Sequence, residues 1–84
     1  MEKYLEKKIR KYVIATFGTP TLYLKKTPSK AEYIFSEDIE YATKAMNQKI
    51  AEQIKDYYYH DTGSNIELVV LPVEITYELV DETN

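Results

Sequence analysis

The chain has 84 residues, enough for one domain with a small core, and 44% of them are hydrophobic, which argues against global disorder. It has no cysteine and a single histidine, so disulfide frameworks, thiolate metal sites, Cys–His pairs and multi-histidine metal sites are excluded. The net charge of −3 conceals a polarity: residues 1–30 sum to +6, residues 31–60 to −3 and residues 61–84 to −6.

If the two ends meet in the fold, the ordinary reading of that polarity is neutralisation across neighbouring strands. The functional reading is two faces for two kinds of partner. No apolar run reaches the length of about 18 residues that a membrane span needs. No cofactor is implied, since Gly18 and Gly63 are isolated and form no phosphate-cradling loop.

Residues 1–11 (MEKYLEKKIRK) place Tyr4, Leu5 and Ile9 among Lys3, Lys7, Lys8 and Arg10. This predicts a basic helical or frayed leader. Tyr12 to Phe17 (YVIATF) is β-branched and aromatic and reads as a strand. Gly18-Thr19-Pro20 supplies a turn, and Thr21 to Lys25 (TLYLK) completes a hairpin. Glu32 to Phe35 (EYIF) is a short third strand.

A helical pattern covers Ser36 to Tyr59. Ile39, Ala42, Met46, Ile50, Ile54 and Tyr57 recur at spacings of three and four and predict the buried stripe. Ser36 suits the N-cap, and Gly63 the stop. Thr43 and Asn47 are also capping types. The alternative is therefore a short turn over about 37–42, a bend, and a main helix from about 48 to 59.

Ile66 to Val80 (IELVVLPVEITYELV) is the strongest strand signal, but its apolar phase flips at Pro72. The spacing predicts a bulge or bend at Leu71-Pro72 that returns the apolar set to the core, with the proline at an edge. The sum is an α+β domain: a small antiparallel sheet of three to four strands, β-β-(β)-α-β, with one helix packed on one face. Residues 81–84 read as a disordered tail. Tyr12, Ile14, Tyr23 and Val69 or Leu71 are expected to line the helix-free face, which suits a homodimer interface or a partner surface.

His60 beside Asp61 is the one conceivable base–orienter pair, with Ser64 or Ser29 as nucleophile, but neither serine has the surroundings of an activated one. The expectation is a non-catalytic protein. Its protein-binding candidates come from two features. One is tyrosine, nine in all, with Tyr57, Tyr58 and Tyr59 consecutive and Tyr23 and Tyr77 on strands. The other is the acidic last strand, with Glu74 and Glu78 on one face. The alternative is a nucleic-acid-binding regulator that uses Lys7, Lys8, Arg10 and Lys11, or a self-assembling structural protein. The acidic surroundings of most tyrosines disfavour nucleic acid.

From Lys11 onward the chain resembles small accessory proteins of unknown function from phages of staphylococci and related Gram-positive bacteria. The likeness lies in the short hairpin, the helical entry Asp38-Ile39-Glu40-Tyr41-Ala42, one main helix, and a closing strand with Val73-Glu74-Ile75. The leader MEKYLEKKIR departs from the pattern. The resemblance implies a setting, the cytoplasm of a bacterial host, and a role: binding a host or defence protein to modulate or inhibit it. It implies no catalytic residues.

Overall fold

The computed structural model describes residues 6–27 and 32–79. Two long antiparallel strands dominate it, β1 (Glu6–Thr16) and β4 (Leu68–Glu78). They pair one-to-one from Glu6↔Glu78 to Thr16↔Leu68. β2 (Tyr23–Lys26) joins β1 at Ala15↔Tyr23, and β3 (Tyr33–Ser36) pairs along β2 from Tyr23↔Ser36 to Lys26↔Tyr33. The sheet order is β3-β2-β1-β4, all antiparallel, and one helix, α1 (Gln48–Thr62), lies on one face. This is the expected α+β architecture with four strands.

One expectation at the start of the chain changes. Residues 6–11 are not helical: they extend β1 and pair with the acidic last strand. Pairing with β4 supplies every rung that a short free helix would have to nucleate alone. Residues 1–5 and the tail at 81–84 lie outside the described residues.

The helical region adopts the broken alternative. A 3₁₀ turn (Ile39–Tyr41) is capped by Asp38, whose carboxylate accepts from the Glu40 N–H at 2.9 Å. Ser36 caps no helix; its hydroxyl accepts from the Asp38 N–H at 3.0 Å and turns the chain out of β3. The sheet claims the backbone that a continuous helix would need. The Thr43 N–H donates to Leu24 O, and Ala45 exchanges both main-chain bonds with Tyr12. Lys26 N–H donates to the Thr43 hydroxyl at 2.8 Å, so Thr43 bridges the place where β2 diverges from β1. α1 then starts at Asn47, whose side chain accepts from the Ile50 N–H at 2.9 Å. It ends at Gly63 in the left-handed region (φ 67°), where the Gly63 N–H donates to Tyr59 O.

The new start also moves the buried stripe. Ala51 is fully buried and Tyr58 is 6% exposed, whereas Met46, Ile50 and Tyr57 face outward. The small Ala51 lets the helix approach the sheet, and the Tyr58 ring fills the space beyond it. The main core cluster is Ile14, Leu24, Ala45, Ala51, Tyr58 and Leu68, with Tyr12, Tyr33, Phe35, Ile54, Tyr59 and Val70 packed against it, and Val13, Ala15 and Ala42 are buried outside that cluster. Tyr33, Phe35 and Tyr59 meet Tyr58 edge-on, at centroid distances of 5.2, 5.6 and 5.7 Å.

Candidate interaction surface

Side chains alternate across a strand, and directly paired residues share a face. Ile14 and Val70 belong to the core under α1, so the even-numbered residues of β1 and β4 face the helix side. The odd-numbered ones face away: Lys7, Ile9, Lys11, Val13 and Ala15 on β1, and Val69, Leu71, Val73, Ile75 and Tyr77 on β4. The β1–β2 and β2–β3 registers add Tyr23, Lys25, Ile34 and Ser36 to that helix-free face. Tyr12 and Ile14, expected on it, pack against the helix instead. Tyr23, Val69 and Leu71 lie where they were expected.

No bulge forms at Leu71-Pro72, because the rungs run unbroken from Leu68 through Glu78. The phase flip therefore stands. Up to Val70 the helix side of β4 is apolar. Beyond Pro72 the helix side carries Glu74, Thr76 and Glu78, and the apolar residues Val73, Ile75 and Tyr77 lie on the helix-free side. Half-burial follows the same switch: Val73 and Ile75 are half-buried, and Glu74, Thr76 and Glu78 are exposed. On that side Ile9 stands beside Ile75 and Lys11 beside Val73, and Ile39 and Lys44 line a groove with both apolar residues. The ladder of 11 residues is about 36 Å long at 3.3 Å per residue. Its far half, roughly residues 6–11 and 73–78, is a two-stranded ribbon.

Pro72 sits where its missing N–H costs nothing in the ladder. Thr16 N–H donates to Leu22 O and Tyr12 bonds to Ala45, so even-numbered residues of β1 direct their main-chain groups away from β4. The β1–β4 bonds then run through odd-numbered residues, and the even-numbered residues of β4 direct theirs to its outer edge. Pro72 is one of these, as an edge proline should be. At the start of that edge the Tyr59 hydroxyl accepts from the Leu68 N–H at 3.0 Å and donates to Ile66 O at 2.9 Å.

A groove of about 460 Å³ lies between the 3₁₀ turn and the ribbon, lined by Ile39, Glu40, Lys44, Val73, Glu74, Ile75 and Tyr77. The Lys44 ammonium holds the turn's shape by donating to the carbonyls of Ile39, Glu40 and Ala42 at 2.9–3.2 Å. Tyr41 is exposed beside the groove, with the Lys25 ammonium 5.8 Å from its ring centroid.

The sequence candidates do not form one site. Tyr58 is core, and Tyr59 ties the helix end to β4, which leaves Tyr57 (56% exposed) as the outward member of that run. Tyr23 and Tyr77 share the helix-free face but stand on different rungs, beside Ala15 and Lys7 respectively. Glu74 and Glu78 share a face, as expected, on the helix side opposite Arg10 and Glu6. The basic set is divided by the strand: Lys7 and Lys11 on the helix-free face, Lys8 and Arg10 on the other.

His60 is 87% exposed, and its Nδ1 lies 3.4 Å from Asp61 Oδ1. The other Asp61 oxygen accepts from the Tyr33 hydroxyl at 2.7 Å, tying β3 to the helix end. Ser64 turns its hydroxyl to the Ile66 N–H rather than to His60. Ser29 lies outside the described residues. Burial, then the bond to Asp61, pushes Tyr33 up to about 12, and the Tyr33 hydroxyl, then His60, holds the Asp61 carboxyl below its ordinary value. Among the described residues no group of three or more His, Asp or Glu side chains is placed to hold a metal ion, and no helix is long and apolar enough to cross a membrane.

Ile9, Val73, Ile75 and Lys25 were absent from the candidates. The signal for Val73 and Ile75 was the odd-numbered apolar alternation after Pro72, taken without the repair of phase by a bulge. No family model, no curated protein and no solved structure matches this chain.

Proposed function

We propose that the chain is a non-catalytic protein-binding module whose working surface is the helix-free sheet face. One observation carries the reading. From Val69 to Tyr77, five apolar or aromatic side chains in succession point away from α1; the 3₁₀ turn faces Val73, Ile75 and Tyr77 only across an open groove, and Leu71 and Tyr77 stay exposed. A row of that kind, rimmed by polar groups, is what a partner surface offers. The resemblance to phage accessory proteins supplies the setting within this proposal: a protein of a bacterial host or its defences as the target, met in the cytoplasm.

The experiment uses the tagged full chain in nuclease-treated lysate of a Gram-positive bacterium, beside Val73→Thr/Ile75→Thr. That variant keeps β-branched side chains and replaces apolar surface with hydroxyls. A stoichiometric protein retained by the wild type, lost by the variant, and re-forming a complex with the purified chain supports the reading. A partner retained equally by both chains moves the site elsewhere, with Tyr57 the next residue to change. Capture that disappears on nuclease treatment points to nucleic acid.

A further inference from the structure

The strands distribute charge unevenly between the two faces of the sheet. All three strand carboxylates, Glu6, Glu74 and Glu78, lie on the helix side, together with Lys8, Arg10 and Lys26. That face is balanced. The strands of the helix-free face carry Lys7, Lys11 and Lys25 and no carboxylate, and the 3₁₀ segment beside them adds Glu40 and Lys44, so this face is basic on balance. Lys25 is engaged with the Tyr41 ring, whereas Lys7 and Lys11 have no carboxylate partner among the described residues. The two lysines flank Ile9 on β1, beside the apolar row of β4.

We infer that the helix-free face of the β1–β4 ribbon docks an acidic, amphipathic protein segment, whose apolar side chains seat along Leu71, Val73 and Ile75 and whose carboxylates meet Lys7 and Lys11. The inference rests on the reading of the chain as a protein-binding module and gives the partner its chemistry. Apolar contact supplies the area, and the lysines set orientation and exclude basic competitors.

Other occupants fit the same face less well. A second copy would bring lysines against lysines, with Glu40 on the groove rim as the one carboxylate described beside this face to answer them. A single nucleic-acid strand needs closely spaced aromatic rings for successive bases. Tyr77 lies eight residues along β4 from Val69, the residue on the Tyr23 rung, which is about 26 Å at 3.3 Å per residue. Between the two rings the outward side chains of β4 are aliphatic, and Tyr41 on the 3₁₀ turn adds a single ring beside them.

The test is selection of random peptides displayed on phage against the immobilised full chain. Beside it stand Lys7→Glu/Lys11→Glu and, as a control on the other face of the same strand, Lys8→Glu. Circular dichroism checks that each variant folds, and Lys7→Gln/Lys11→Gln replaces the double reversal if that one does not. The expected result is enrichment of peptides that interleave Asp or Glu with aliphatic or aromatic residues. Their affinity should fall on the order of tenfold for the double reversal, stay unchanged for Lys8→Glu, and weaken as salt rises. Enriched peptides without acidic bias, or ones that bind the double reversal equally, overturn the acidic partner. If those peptides are lost on Val73→Thr/Ile75→Thr, the protein-binding reading survives. No enrichment over the bare support, with binding of poly-dT or of phosphatidylserine vesicles instead, overturns both.

Discussion

The half of the β1–β4 ladder beside the helix and the half that extends past it share two strands and one register, yet the near half buries both faces, with Val13 and Ala15 enclosed opposite Ile14, while the far half shelters only the face away from α1. Beside the helix, Ile14, Leu68 and Val70 turn inward and join Tyr58 and Ala51. Past Pro72 the inward positions are Lys8, Arg10, Glu74 and Thr76, and the apolar residues turn outward. A sheet can therefore give up its apolar surface on one side and keep it on the other without a bulge, where the strand outlives the helix that covers it. The near half is a core, held by packing. The far half is a ribbon, held by its ladder and by neighbouring pairs such as Ile9 and Ile75.

The sharpest way to break this comparison is to truncate one side chain in each half. Tyr58→Ala removes a ring that three other rings touch edge-on, and should cost about 3–5 kcal/mol, read from urea unfolding. Ile75→Ala, on the half-buried face of the ribbon, should cost about 1 kcal/mol or less. Equal losses would mean that the ribbon is as tightly packed as the core.

Tyr59→Phe tests the junction between the halves. It removes the hydroxyl that accepts from the Leu68 N–H and donates to Ile66 O, and should cost about 1 kcal/mol. The same change should speed hydrogen exchange at the Leu68 amide, leaving the amide of Ile75, inside the ribbon, unchanged.

The smallest effect expected depends on pH and concerns the near half alone. The Asp61 carboxyl is held low by Tyr33 and His60, so its contribution is present above the unfolded value of about 3.9 and is lost as pH falls through the folded one. Tyr33 is raised to about 12, so its contribution is present below about 10 and is lost as pH climbs toward 12. Tyr33→Phe should therefore narrow the stability gap to wild type at both extremes and keep it constant between them. A gap that ignores pH would show that the Tyr33–Asp61 bond contributes nothing in solution.

Legibility in the sequence followed the same division. Local chemistry identified β3, the Gly63 stop and the one-helix α+β class, because turns, caps and β-branched runs act within a few residues. The break at Thr43–Asn47 was visible as an alternative through the capping residues. What decided it was distant, since Tyr12 and Leu24 claim the backbone of Ala45 and Thr43. Residues 6–11 were misread because their period fits a short helix, while their partner lies at the other end of the chain. The phase flip at Pro72 was plain, but its meaning depends on how far the covering helix reaches. Among the tyrosines, composition alone does not separate the core ring of Tyr58 from the exposed ones of Tyr57 and Tyr77.

Pro72 has one more consequence. A chain that adds to the outer edge of β4 finds the Leu68 amide already taken by Tyr59 and no donor at Pro72. The remaining outward amides fall into two separated sets, Val70 on one side and Glu74, Thr76 and Glu78 on the other. A fibril grows by stacking copies whose ladders are continuous from one molecule to the next. Here the template is interrupted in the middle of its most apolar window, so the chain can keep an oily outer row while giving its own copies no unbroken seam to copy along.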